Sequence, residues 1–298
     1  MLIYCHPLSD CAVHNHRCTP RSGGSTAAVP RDRRATTPKT GAFPLSEPVP
    51  APHFFSSFDG TQLAWREIGE GRPVVLIHGY FSNAAVNWLK YGHAQKVADA
   101  GFRVIMPDLR GHGDSAKPHD AAHYPPDVLM QDGLALIAQL GLSDYDLGGY
   151  SLGARTTVRM LANGGAAPRK VVISGMGLTG LVDTAGRGEY FRKVLNSLGS
   201  FERGTPEFMT EAFLKTTNGD AKALLRVLDT FVDTPEAAIA EIAQPTLVLS
   251  GAEDHDNGSA EALSELMPNA IYREVPGNHM SAVTRPELGR TIADFLAA

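Results

Sequence analysis

Asp146-Leu147-Gly148-Gly149-Tyr150-Ser151-Leu152-Gly153-Ala154 reads as the end of a buried strand, a tight corner and the first turn of a helix. The corner has the form G-x-S-x-G. A serine in that arrangement takes a strained backbone conformation, and a side chain at Gly149 or Gly153 would collide with the neighbouring strand or helix. The strain lifts the Ser151 hydroxyl clear of the backbone. Five-residue strings of this kind arise by chance, so the flanks decide. Apolar strand patterns lie on both sides, and Arg155-Thr156-Thr157-Val158-Arg159-Met160-Leu161 continues at once as helix.

The same strand-then-helix rhythm runs outward in both directions. Upstream, Phe54 to Phe58 and Leu63 to Ile68 alternate apolar and polar residues around Asp59-Gly60, a hairpin turn signal. Pro73-Val74-Val75-Leu76-Ile77 is a continuous apolar run, as in strands buried on both faces. A helix is expected through Trp88 to Ala100, a strand over Phe102 to Met106, and a helix from about Pro126 to Leu140. Downstream, Lys170 to Ser174, Pro245 to Ser250 and Ala270 to Val275 read as strands, with helices over Gly258 to Met267 and Pro286 to Leu296. The interval from about 177 to 242 breaks the rhythm, with helical patterns only. These features predict an α/β fold: a mostly parallel central sheet of about eight strands, helices on both faces, and a helical cap inserted at about 177–242. The cap would lie over the C-terminal edge of the sheet, where open α/β folds bind ligands.

Residues 1–50 read differently. They are rich in Pro, Thr, Ser, Gly and Arg without apolar periodicity, which predicts a disordered extension ahead of a 51–298 domain. Cys5, Cys11 and Cys18, the only cysteines, all fall there beside His6, His14 and His16, at spacings too irregular for a zinc site. The fold therefore has no disulfide framework, and the cytoplasm is the expected location. The formal charge of −5 argues against nucleic acid or an anionic membrane surface as the main partner. No apolar run approaches the roughly 20 residues of a bilayer span, and no apolar leader is expected at the start. Oligomeric state leaves no mark in the sequence.

A serine hydroxyl becomes a nucleophile when a base takes its proton, and the base needs a third group to fix its tautomer. Of the histidines, His78, His112, His255 and His279 follow sheet strands. His279 is the best base, on a short Pro-Gly-Asn loop after the final strand. His78 and His112 read as structural, the latter in a turn tied down by Asp108 or Arg110. Asp254, four residues after Ser250, is the expected acid, with Glu253, Asp256 and Asp183 as competitors. The developing oxyanion needs donors. One is the N–H of Leu152, and the second comes from Tyr80, with Phe81 as the alternative. Met160 and Met176 are expected in the core, and so are Tyr80, Phe81, Trp88 and Tyr150 unless they line a pocket.

With these residues in view, the stretch from about 53 to 298 resembles an α/β-hydrolase of the single-domain esterase type. The resemblance rests on His78-Gly79, Asp108-x-Arg110-Gly111-His112-Gly113-x-Ser115, Gly149-x-Ser151-x-Gly153, Gly251-x-x-Asp254 and Gly277-Asn278-His279, in that order. It implies Ser151, Asp254 and His279 as a catalytic triad and the backbone of Tyr80 and Leu152 as the oxyanion hole. Phe81 departs from the pattern, since relatives often carry proline or a small residue there. The implied activity is that of a serine hydrolase acting on a small-molecule carboxylic ester, with no cofactor and no metal. Serine at the elbow argues against the haloalkane dehalogenases and epoxide hydrolases that share the fold but carry Asp there. Lactonase, thioesterase, perhydrolase and carbon–carbon bond hydrolase use nearly the same residues. A non-catalytic ligand-binding protein is the alternative from another class.

Overall fold

The computed structural model describes residues 49–298, so the extension expected over 1–50, cysteines included, lies almost wholly outside the described residues. Asp59-Gly60 turns the chain back on itself as the sequence predicts. Strand β1 (His53–Ser56) pairs antiparallel with β2 (Gln62–Ile68), Phe55 opposite Leu63. Strand β3 (Arg72–Ile77) follows. The single helix expected through Trp88 to Ala100 is divided into a π-helical turn, Ala85–Leu89, and α1 (His93–Asp99). Gly92, in the left-handed region at φ +71°, breaks it.

The remaining elements keep the strand–helix alternation. They are β4 (Phe102–Pro107), α2 (Val128–Gln139), β5 (Asp146–Tyr150), α3 (Leu152–Ala162) and β6 (Val171–Ser174). The 177–242 interval then forms α4 (Thr179–Val182), α5 (Ala185–Asn196), α6 (Pro206–Thr216), α7 (Ala221–Leu228) and α8 (Glu236–Ala240). The short α4 and α8 have no counterpart in the sequence reading. Thr205 and Asp220 begin α6 and α7 by accepting hydrogen bonds from free N–H groups of the first turn. The chain returns to the sheet with β7 (Thr246–Gly251), α9 (Ala260–Leu266), β8 (Ala270–Val275), α10 (His279–Ala282) and α11 (Pro286–Ala297).

The eight strands form one sheet in the order β1-β2-β4-β3-β5-β6-β7-β8, with β3 to β8 mutually parallel and β2 antiparallel to both its neighbours, β1 and β4. Parallel strands buried on both faces need apolar side chains in both directions, and β3 supplies them alternately. Val74 and Leu76 pack with Trp88 and Val97 and with Ile292 of α11. Val75 and Ile77 point the other way and pack with Leu136 of α2 and Met160 of α3. All four β3 residues are essentially inaccessible, so truncating any one to alanine would cost about 2–5 kcal/mol.

Strand order reverses between β3 and β5. After β3 the chain moves to β4 on one side, and after α2 it returns to β5 on the other. The turn leaving β3 and the corner leaving β5 therefore diverge from a common point, which opens a crevice at the C-terminal ends of these strands.

Candidate active site

Ser151 stands at that point. Its backbone is at φ +54°, ψ −113°, a conformation rare for a residue with a Cβ, between the last residue of β5 and the first of α3. The corner is tight because its glycines are. A Cβ on Gly153 would run into the carbonyls of Ile77 and His78, and one on Gly149 into the backbone of Gly153 and Ala154. Helix α3 consequently lies hard against the end of β3, and the Ser151 side chain is aimed outward.

Asp254 lies on the turn after β7 and His279 after β8, two strands that are neighbours in the sheet. The fold brings them to Ser151 from 103 and 128 residues away. His279 Nδ1 is 2.9 Å from Asp254 Oδ2, and His279 Nε2 is 3.0 Å from Ser151 Oγ. A carboxylate only accepts, so Nδ1–H donates to Asp254 and the bare Nε2 accepts the Ser151 hydroxyl proton. Asp254 Oδ1 accepts the N–H of Asp256, which fixes the carboxylate plane. His279 and Asp254 are both buried.

His279 does not sit on an open loop, as expected, but opens α10. Asn278 caps that helix, accepting from the N–H groups of Met280 and Ser281, while Ser281 Oγ accepts from the Asn278 N–H. The signal was legible: Asn278-x-x-Ser281 is a capping pattern. A second brace was not legible. The buried Tyr150 hydroxyl donates to the His279 carbonyl at 2.6 Å, and the two rings lie 5.4 Å apart. Burial lifts the Tyr150 phenol well above its ordinary value, so the hydroxyl stays a donor.

The turn after β3 supplies backbone donors. Gly79 N–H is taken by Asn87 Oδ1 at 3.0 Å and Ser82 N–H by the Gly79 carbonyl at 3.2 Å. The N–H groups of Tyr80, Phe81 and Leu152 have no acceptor among the described residues. Phe81 has φ +61°, out of reach of proline, whose ring holds φ near −65°. Its ring is buried, stacked on Tyr80 at 4.4 Å and edge-on to Phe191 of α5 at 5.3 Å. Packing against the 177–242 segment thus holds this strained backbone. The Tyr80 hydroxyl adds a bond to the Leu224 carbonyl of α7 at 2.8 Å.

His78 and His112 are engaged in the supporting loops. Leu109 N–H donates to His78 Nε2 at 2.9 Å, so Nδ1 carries the proton and donates to the Gly79 carbonyl at 2.8 Å. Burial holds both imidazoles below their ordinary value, and His112 also feels His78 beside it. Of the competing acids, Asp183 turns to the N–H of Ala185 and Asp256 pairs with Arg187 of α5 at 2.6 Å. Donor atoms of Asp254, Asp256 and His279 lie within 4.8 Å of one another. Each is committed to a protein partner, which disfavours a cation there.

The cavities at Ser151 are lined by Tyr80, Tyr150 and Phe81, whereas Trp88 is buried in the core with Met160 and Met176. Among the described residues no helix is long and apolar enough to cross a membrane.

The model of the alpha/beta hydrolase family matches residues 74–288. The chain belongs to that family. This hydrolase is 25% identical over 244 residues to pyrrolizixenacetamide deacetylase of Xenorhabdus hominickii, covering 74% of this chain and 88% of that one. It is 34% identical over 116 residues to a non-heme haloperoxidase of Rhodococcus erythropolis, 38% of this chain and only 39% of that protein's length. Its fold matches an esterase from Exiguobacterium antarcticum with a TM-score of 0.67 at 21% identity, covering 82% of this chain and 99% of that one.

Proposed function

We propose that this hydrolase cleaves carboxylic esters of small to medium molecules through an acyl-enzyme on Ser151. The observation that carries the reading is the bonded series Ser151 Oγ, His279 Nε2, His279 Nδ1 and Asp254 Oδ2, at 3.0 and 2.9 Å. His279 takes the Ser151 proton as Oγ bonds to the ester carbon, and Asp254 stabilises the imidazolium. The carbonyl oxygen becomes an oxyanion held by the N–H groups of Leu152 and Tyr80. Loss of one such donor typically costs about 10²–10³ in rate. The carbon–alkoxide bond then breaks, and His279 returns the proton to the departing alcohol. Water, deprotonated by the same imidazole, attacks the acyl-enzyme and frees the acid and Ser151.

In this reading residues 51–298 work as one hydrolase domain, in the cytoplasm, with the 177–242 helices as its cap. The esterase-like fold and the free N–H groups beside Ser151 support it. The deacetylase relative favours a second reading, in which the same steps release an amine from an N-acetyl group. Nitrophenyl acetate hydrolysis by the wild type and Ser151→Ala tests the nucleophile. The variant should lose burst and turnover alike. Equal release of nitrophenol by both proteins would refute the assignment, and cleavage of acetanilides in preference to acetate esters would move the substrate class to amides.

A further inference from the structure

Two cavities meet at Ser151, and they differ more than fivefold in volume. The smaller, about 130 Å³, lies between the turn after β3 and the segment following α10, with Val86, Tyr91, Val283 and Thr284 in its walls. The larger, about 700 Å³, lies under α5 and α6 and is walled by Phe81, Tyr190, Phe191, Met209 and Pro206. Ser151, His279, Tyr80, Met280 and Phe213 line both. Of these, Phe213 is the residue contributed by the 177–242 helices, from α6, and it borders both cavities.

We infer that this site selects esters with one short side and one bulky apolar side, and that Phe213 sets the limit on the short side. The inference rests on the ester reading above. A carbonyl carbon bonded to Ser151 must send its two substituents in different directions, and among the described residues these two cavities open from that point. A cavity of about 150 Å³ just holds benzene, so 130 Å³ takes a chain of about four or five heavy atoms, an acetyl to butyryl group or a short alcohol. A volume of 700 Å³ is that of a pocket for a drug-sized molecule.

Charge sharpens the selection. The larger cavity contains Arg187 and Asp256, which pair at 2.6 Å, and the guanidinium lies over the Phe191 ring at 4.8 Å. The two charges cancel, leaving aromatic rings as the recognition surface. Among the described residues that line the smaller cavity there is no carboxylate, lysine or arginine. The matching substrate is uncharged on both sides, with an aromatic or long aliphatic group on one. Met209 and Met280, both exposed, lie in the wall of the larger cavity, where flexible thioethers adapt to varied apolar shapes.

The test is a series of 1-naphthyl esters (acetate, butyrate and octanoate) with the wild type, Phe213→Ala, Phe213→Leu and Ser151→Ala. Naphthyl is too large for the smaller cavity, so the acyl chain must enter it. The wild-type kcat/KM should fall about tenfold or more from butyrate to octanoate, as expected when a chain overfills a packed space. Phe213→Ala should raise the octanoate-to-acetate ratio of kcat/KM by about tenfold, with Phe213→Leu intermediate. Circular dichroism of the variants verifies folding, and the wild-type profile needs no variant at all. Octanoate cleaved by the wild type as fast as acetate, or an unchanged chain-length profile in folded Phe213 variants, overturns the inference while Ser151→Ala inactivity keeps the ester reading. Acetate cleavage by Ser151→Ala at the wild-type rate overturns both.

Discussion

Replacing Arg110 by Met should unfold the brace behind the candidate site, and the loss should depend on pH in a defined direction. The Arg110 guanidinium is fully buried and donates five hydrogen bonds. Two go to Asp59 at 2.6 and 3.0 Å, two to Asp132 at 2.7 and 3.0 Å, and one to the His123 carbonyl at 2.5 Å. Methionine retains most of the stem's packing and removes only the charge and the donors. Asp59, part-exposed, can turn to water. Asp132 cannot, because it is 4% exposed and its other partner is the Ser57 hydroxyl. Stranding a buried carboxylate in this way costs about 3–5 kcal/mol at neutral pH. For a domain of this size that is a fall in Tm of about 6–20 °C, at about 2–4 °C per kcal/mol.

The pH dependence follows from how the two carboxyls differ. Hydrogen bonds from Arg110 pull the Asp59 carboxyl well below the ordinary range. Burial holds the Asp132 carboxyl above it even with Arg110 opposing. Without Arg110 the Asp132 value rises further, and the folded variant binds a proton that the unfolded chain releases. Its stability then increases as pH falls, by about 1.4 kcal/mol per unit, from the raised folded value down to the unfolded value near 3.9. The deficit relative to the wild type should therefore be largest at neutral pH and shrink as the pH falls toward the unfolded value. Urea unfolding at several pH values measures it. A deficit under about 1 kcal/mol, the worth of an exposed pair, or one that widens toward acid would refute this account. The double variant Arg110→Met/Asp132→Leu should recover most of the loss.

Two further outcomes are expected at the site itself. Tyr150→Phe leaves the His279 carbonyl without the Tyr150 hydroxyl donor, so unfolding should become easier by about 1–3 kcal/mol. kcat should fall while KM stays near the wild-type value, and an unchanged kcat would show that α10 holds His279 unaided. Asp254→Asn should lower kcat by about 10⁴ through the wrong imidazole tautomer with little change in Tm. A loss under about tenfold would transfer the orienting role to Asp256, whose carboxylate lies within 4.8 Å of the same group.

The sequence disclosed this architecture where local chemistry is self-sufficient and concealed it where contacts span the chain. Val74 to Ile77 read as a strand buried on both faces, and the close approach of β5, α3 and β3 leaves no room for a side chain at Gly149 or Gly153. The spacing of Asp254 and His279 from their strands placed both at the sheet edge that holds Ser151. Nothing local marks the Tyr150 hydroxyl as bonding a carbonyl 129 residues on, or Arg187 as pairing with Asp256 69 residues away. The first exists only once β5 and α10 have met, and the second only once α5 lies against the turn after β7.

Phe81 joins the two kinds of information. The family resemblance leads to the expectation of a proline or small residue there, and a bulky side chain at φ +61° is strained. Both observations have one physical resolution: its ring is buried between Tyr80 and Phe191, so packing from α5 offsets the backbone cost. The second strained residue, Ser151, faces it across the reversal of strand order, held by the tight glycines of β5 and α3. One strain is fixed by local sequence and the other by the helices of 177–242. Substitutions at Phe191 should therefore reach the turn after β3, whereas they should leave the Ser151 corner unmoved.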